Sequence, residues 1–153
     1  MSRLLLIRSL SNVEDQLKKW IRTLRDPVRI FNRAIEANET EVLDANIAQL
    51  EKGQDALGNL LDQYASDEYA KFKKAMGSQS PLGIPDLKLE GDFHSGFVLK
   101  KDGKKFIITS TDEKKDRLKA KYGEDIFGVN FNENPDLLSY ILESWITLFK
   151  QGL

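Results

Sequence analysis

The chain has 153 residues, enough for one ordinary core, and with 41% hydrophobic and 31% charged residues it has the composition of a globular protein. It contains no cysteine, which excludes disulfides, thiolate metal sites and cysteine nucleophiles. The first apolar run holds four residues, between Arg3 and Arg8, and is too short for a signal peptide or a membrane span. We therefore expect an intracellular protein with no membrane partner, folded as a single domain over residues 1–153.

The net charge of −1 is unevenly distributed along the chain. Residues 1–37 carry +4 and residues 100–121 carry +5, whereas residues 38–70 carry −7 and residues 122–153 carry −4. One interpretation places basic and acidic elements beside each other, within the fold or across subunits. The other interpretation is a basic patch for nucleic acid. We favour the first.

Residues 1–76 are predicted to be mainly helical. Residues 2–10 form an apolar lead-in without a clear period, and Ser11-Asn-Val-Glu14 is a capping-box pattern that begins a helix. Pro27 either begins a second helix or kinks the first. Asn38 is expected to end this segment and to cap the next. Apolar residues recur at helical spacing along both helices. They are Val13, Leu17, Trp20, Ile21, Leu24, Val28, Phe31, Ala34 and Ile35.

Residues 40–64 allow two interpretations. Their apolar residues follow a heptad-like spacing, but one long helix would contain Gly53 and Gly58, each costing about 1 kcal/mol relative to alanine. We therefore predict a helix over about 40–52 that Gly53 ends, followed by a loop. Ser66 then caps a short helix, and Asp67-Glu68 occupy its first turn.

The stretch after residue 76 changes to strand periodicity. Residues 77–86 are rich in turn formers and predict a loop. The part over 87–131 is predicted to be β-rich, with Leu87 and Leu89 in its first strand. Ser110-Thr-Asp-Glu113 is a second capping box, opening a polar helix that Tyr122-Gly123 ends. Residues 126–131 are expected to form the last strand.

Asp102-Gly103 is typical of a two-residue β-hairpin turn. A turn centred on this dipeptide pairs Lys101 with Lys104 and Lys100 with Lys105. Because side chains alternate along a strand, four apolar residues then share one face of the hairpin, and that face needs a cover. These residues are Phe97, Leu99, Phe106 and Ile108.

The C-terminal helix is predicted over 134–151, with Pro135 at its first position and an apolar face broad enough to cover the sheet. Helices, then an antiparallel β-meander, then a helix indicate an α+β fold.

Residue types that carry catalysis are scarce. His94 is the only histidine, and its neighbours Asp92 and Ser95 are too local to form a triad with it. Gly91 and Gly96 have phosphate-loop spacing, but Phe97-Val98 stands where lysine and serine or threonine are required. Of the three adjacent acid pairs that could bind magnesium or calcium, the first two are better explained as first-turn acids of helices. We therefore predict no catalytic residue, no cofactor, no metal and no small-molecule substrate. The pairs are Asp67-Glu68, Asp112-Glu113 and Glu124-Asp125.

Four lysines, Lys100, Lys101, Lys104 and Lys105, cluster at the hairpin tip and are the predicted protein-contact residues. Lysines opposite each other repel, so an acidic patch on a neighbouring subunit or nucleic-acid phosphate could relieve them. The plainer explanation is a soluble tip that protects the sheet against aggregation. No aromatic residues are interleaved with the lysines, so we do not expect nucleic acid as a partner.

A series of motifs between Gly53 and Gly128 resembles virion proteins of tailed bacteriophages, of the neck and tail-completion type. Glu90 departs from this pattern, which often has threonine there, and the first fifty residues lie outside the resemblance. The motifs are, in order, Gly53-Gln-Asp55-Ala-Leu-Gly58, Tyr64-Ala-Ser66-Asp-Glu-Tyr69-Ala-Lys71-Phe-Lys73, Leu89-Glu-Gly91-Asp92-Phe93, Ser110-Thr-Asp112-Glu-Lys114 and Lys121-Tyr122-Gly123-Glu-Asp-Ile126-Phe127-Gly128.

The resemblance implies a ring-forming structural part of the virion, assembled in the host cytoplasm and without enzymatic activity. Its expected partners are copies of itself and other virion proteins, with the hairpin and the loop 77–85 as the expected contacts. Segregated basic and acidic surfaces would then meet head to tail around a ring. The alternative is a small intracellular binding or inhibitor protein of the immunity or anti-defence type.

Overall fold

The computed structural model describes residues 3–88 and 90–152, with side chains from Val13 onward. Within these residues it contains seven α-helices, a short 3-10 helix and one two-stranded antiparallel sheet, and the α+β class is confirmed. The chain divides into two compact units, which we call unit 1 (Met1–Asn38 with Ser139–Leu153) and unit 2 (Glu39–Leu138). The single domain expected from the sequence stays a prediction.

Unit 1 contains α1 (Arg3–Leu24), α2 (Pro27–Ala37) and most of α7 (Pro135–Gln151). Pro27 begins a second helix, because the Asp26 carboxylate accepts the Arg29 amide at 3.1 Å and caps it. Asn38 ends α2 as predicted. The prediction that a helix begins at Ser11, after an apolar lead-in over 2–10, is wrong, because α1 begins at Arg3. The interior of unit 1 includes Ile30, Ala34 and Ile141.

The helices of unit 2 begin with α3 (Glu39–Glu51) and α4 (Asp67–Ala75). Gly53 follows α3 at φ +77°, in the left-handed region that favours glycine, and a Cβ there would collide with Ile84. The short helix over 40–52 is therefore confirmed and the long heptad helix is excluded. Ser66 caps α4, as predicted, by accepting the Tyr69 amide at 3.3 Å.

The remaining helices of unit 2 are α5 (Asp92–Ser95), α6 (Lys115–Tyr122) and the 3-10 helix Glu124–Ile126. The predicted capping box at Ser110 is wrong, because α6 begins five residues later. Ser110 instead accepts the Asp112 amide, and Asp112 accepts the Lys114 amide, so this segment is a pair of turns. Tyr122-Gly123 ends α6 as predicted.

The hairpin consists of β1 (Phe97–Asp102) and β2 (Lys105–Ser110). Its turn is Gly103-Lys104, so Asp102 pairs with Lys105. The predicted turn and the two lysine–lysine pairs are therefore wrong. Positive φ at Gly103 fits a turn with glycine at its first central position. The register differs by two residues, which preserves the faces, and the predicted apolar face of Phe97, Leu99, Phe106 and Ile108 is retained.

Two predicted strands are absent from the described residues. Leu87 has a left-handed backbone (φ +52°), which no strand accommodates, and its predicted strand partner Leu89 lies outside the described residues. Residues 127–131 form no ladder, because side chains of α3 satisfy their backbone groups. Asn46 donates to Ile126 O and accepts from Gly128 N, and Gln49 accepts from Asn130 N. The predicted meander is therefore a single hairpin.

The core of unit 2 is one cluster of buried side chains to which α3, α5, β1 and the 3-10 helix contribute. Phe93 and Phe97 meet edge to face, with ring centroids 5.0 Å apart. From the apolar face of the hairpin, Phe97 belongs to this cluster and Ile108 packs against it. The predicted cover by α7 stays a prediction. The cluster consists of Leu50, Leu61, Ile84, Phe93, Phe97 and Ile126.

Candidate functional site

The predicted contact lysines lie at the end of the hairpin, and all four side chains are exposed. Lys101 is opposite Phe106 and Lys100 is opposite Ile107, while Lys105 is opposite Asp102. Opposite charges at the last pair favour the hairpin, so no like-charge strain within the ladder calls for an external partner. The role of the tip as a protein contact stays a prediction.

An apolar stripe runs along α1 and α2 on the surface of unit 1. Its members recur three or four residues apart, so they lie on one side of their helices. Each exposes between 43% and 55% of its surface. We call this surface the apolar stripe; it consists of Val13, Leu17, Ile21, Leu24, Val28 and Phe31.

Unit 2 contains a cleft of about 440 Å³ between α4, α6 and residues 85–88 and 90–93. Arg117 and Lys121 are four residues apart on α6, and Lys114, which has a helical backbone just before α6, is three residues before Arg117, so the three share one face and all line the cleft. Counting every charged residue in the lining, five are basic and three are acidic. The cleft is therefore a concave, mainly apolar surface with a basic wall.

Tyrosines form the aromatic part of the cleft. Tyr64 and Tyr69 meet edge to face at 5.0 Å between ring centroids, and Tyr122 lies at the end of α6. Burial raises the pKa of Tyr64, and the negative charge of Asp86 adds to the increase. The Tyr64 hydroxyl therefore keeps its proton at neutral pH and remains a donor.

Lys73 and Asp86 form a buried ion pair at the cleft, with Nζ and Oδ1 2.9 Å apart and side chains 7% and 5% exposed. Lys73 also donates to Lys88 O, and Asp86 accepts the Lys88 amide. Burial raises the pKa of the Asp86 carboxyl, but hydrogen bonds from Lys73 and Ser78 outweigh it and hold the pKa below its usual value. The charge of Lys73 is thus already compensated.

His94 is 5% exposed, and neither ring nitrogen has a hydrogen-bond partner among the described residues. Its ring lies 6.0 Å from the Phe93 ring and 5.9 Å from the Phe97 ring. Burial lowers the pKa of His94. A buried, neutral imidazole among aromatic rings is a core residue rather than a general base that reaches a substrate.

Other predicted features have structural roles. Asp67 and Glu68 occupy the first turn of α4, and Gly91 precedes α5 at φ +96°. Among the described residues, no three His, Cys, Asp or Glu side chains come together as a metal site. None of the described helices is both long and apolar enough to cross a bilayer.

The cleft was not predicted from the sequence. The spacing of Lys114, Arg117 and Lys121 is a visible signal for one basic helix face. Tyr64 and Tyr69 come from more than forty positions before these bases, and only the tertiary structure brings them to α6.

Comparisons with protein-family models, with curated proteins and with solved structures gave no match to this chain.

Proposed function

We propose that this chain is a non-enzymatic structural component of a tailed-phage virion. In this proposal it assembles with copies of itself, as a ring at the neck or tail, and docks other virion proteins. The observation that carries the proposal is the apolar stripe of unit 1. The motif series between Gly53 and Gly128 supports the assignment to a virion.

The size of the apolar stripe supports self-assembly. At roughly 80 Å² each, six half-exposed residues amount to about 500 Å² of exposed surface, within the range of the largest apolar patch on a typical monomer, which is often functional. Standard interfaces bury about 800 Å² on each partner, so the stripe can supply the centre of one while polar neighbours supply its rim.

Charge favours head-to-tail contact over contact between two identical stripes. Residues 1–37, which contain the stripe, carry +4, so contact between two identical stripes joins segments of like net charge. Residues 38–70 carry −7 and offer the next copy an acidic surface. Heterologous contacts of this kind close into rings when the rotation permits.

The resembling motifs fall at positions with defined structural roles in unit 2. Gly53 and Gly58 have positive φ, Ser66 caps α4, and Tyr122-Gly123 ends α6. Because these motif residues form turns and helix ends, they support a fold shared with the family that the motifs resemble.

The experiment is light scattering on the purified protein after size exclusion, comparing Ile21→Glu with Lys18→Gln. Both substitutions lower the charge by one unit on α1, but only Ile21 belongs to the stripe, and the Lys18–Glu14 pair is exposed. We expect wild type and Lys18→Gln to assemble and Ile21→Glu to remain a monomer with unchanged helix content. Wild type that stays monomeric at all concentrations would overturn self-assembly.

Mass spectrometry of density-purified particles from the source culture tests the virion assignment. We expect the chain in the particles at a fixed ring stoichiometry. Its presence only in the soluble lysate would contradict the proposal and favour the inhibitor alternative. In particles produced with the variant in which Lys101 and Lys104 are replaced by glutamate, we expect the protein to be missing. Normal incorporation of this variant into particles would mean that the hairpin tip only aids solubility.

A further inference from the structure

We propose that the cleft of unit 2 binds a small organic anion that carries an aromatic ring. This inference goes beyond the structural role proposed above and does not depend on assembly or on a virion. The cleft volume of about 440 Å³ lies within the range of small-molecule pockets, and its lining is mainly apolar with a few polar groups.

The aromatic half of the site is formed by three tyrosines and Phe93. Tyr64 and Tyr69 already meet edge to face, which leaves ring surfaces arranged for a further aromatic group. The Tyr64 hydroxyl is protonated at neutral pH, like that of any tyrosine, and burial raises its pKa further, so this part of the cleft adds no negative charge.

The basic residues at α6 would bind the anionic group of the ligand. Two other basic residues of the lining already have partners, Lys73 with Asp86 and Lys88 with Glu51 at 2.5 Å. Lys121 lies over the Tyr122 ring, with Nζ 4.9 Å from the ring centroid, and keeps its positive charge there. Arg117 and Lys121 of α6, together with Lys114 just before it, therefore supply the positive charge available to a ligand. Arg117 adds a planar fork that binds carboxylate or phosphate with two hydrogen bonds.

Acidic residues limit which ligands fit. Asp86 is neutralised by Lys73, but Glu90 and Asp92 also line the cleft and oppose an anion that approaches them. A compact anion on one end of a ring can lie against α6 while the ring occupies the tyrosines. This arrangement requires both features in one molecule and disfavours inorganic phosphate alone.

The test uses phenyl phosphate as the probe, with phenol and inorganic phosphate as its two halves. Saturation-transfer and phosphorus NMR observe the ligand, so they apply whether the protein is a monomer or a ring. We expect phenyl phosphate to bind at least about tenfold more tightly than either half, a difference of about 1.4 kcal/mol. Equal binding of phenyl phosphate and one half, or no binding at about 10 mM, would overturn the proposal.

The site is located by comparing Arg117→Gln with Lys115→Gln. Both remove one positive charge from α6, but Lys115 is not among the described residues that line the cleft. We expect Arg117→Gln to weaken phenyl phosphate about tenfold and Lys115→Gln to leave it unchanged. Equal effects would mean non-specific attraction. Nuclear Overhauser contacts between the probe ring and tyrosine rings in the wild-type protein provide the same localisation without any variant.

Discussion

Unit 1 and unit 2 differ in where their apolar side chains lie. Unit 2 surrounds six buried apolar residues with a further shell of partly buried ones. Unit 1 buries Ile30, Ala34 and Ile141 but leaves the six members of its apolar stripe about half exposed. Unit 2 also exposes apolar residues, such as Phe72 on α4 and Met76 just after it, yet these accompany a completed core.

This difference suggests separate roles for the two units, one in the stability of the single chain and one in assembly. Burial of apolar surface drives both folding and association, so a side chain that is exposed in one copy can still be buried by another. We infer that the core of unit 2 stabilises the single chain, whereas the stripe of unit 1 acts when copies meet. Three predictions test this division, in order of decreasing effect on stability.

Lys73→Met is expected to destabilise unit 2 by about 3–5 kcal/mol, because it leaves the buried Asp86 carboxylate without its cation. Replacing the pair together, Lys73→Met with Asp86→Leu, should cost less than Lys73→Met alone. Urea unfolding followed by circular dichroism measures both. Trp20 and Trp145 are both in unit 1, so their fluorescence reports that unit separately. A cost below about 1 kcal/mol would show that the pair is solvated.

Leu50→Ala and Ile21→Ala compare the two units with substitutions of similar size. Leu50 is 0% exposed, so its truncation should cost about 2–5 kcal/mol in the free energy of unfolding. Ile21 is 54% exposed, and Ile21→Ala should stay within about 0.5 kcal/mol for a single chain. Unfolding at low protein concentration measures both. A large cost for Ile21→Ala in the monomer would mean that the stripe stabilises the chain itself.

Sequence patterns located the hairpin and several helix ends, but placed the starts of α1 and α6 wrongly and missed what long-range contacts decide. Ser66, Gly53 and Pro27 act locally, so their roles can be read from neighbouring residues. Residues 126–131 have strand-like alternation, yet Asn46 and Gln49, some eighty positions earlier, satisfy their backbone. No local pattern could show this. The predicted hairpin turn was one residue too early, because Asp102-Gly103 and Gly103-Lys104 both place glycine at a central position of the turn.

The candidate site was predicted only in part. The exposure of the four tip lysines follows from their charge. The cleft exists only where the tertiary structure brings α4, α6 and residues 85–88 and 90–93 together. The apolar stripe was visible as a helical period, and periodicity alone assigns such a face to the core. Only the structure shows that half of each side chain remains exposed.

The smallest effect concerns pH and His94. Burial lowers the pKa of His94 in the folded chain below its unfolded value of 6.5. Well above pH 6.5 both states are neutral there and His94 adds no pH dependence. As the pH falls below 6.5, the unfolded chain takes up a proton that the folded chain does not, so stability declines by at most about 1.4 kcal/mol per pH unit.

His94→Leu provides the control, because the chain has no other histidine. This variant should lose the decline just below pH 6.5, while both proteins lose stability at lower pH as Asp86, whose pKa lies below 3.8, is protonated. Chemical denaturation at several pH values gives the comparison. The same slope in both proteins between pH 6.5 and 5 would mean that His94 is protonated in the folded state. Its two nitrogens would then need partners, and the aromatic core of unit 2 would have to be more open than its burial indicates.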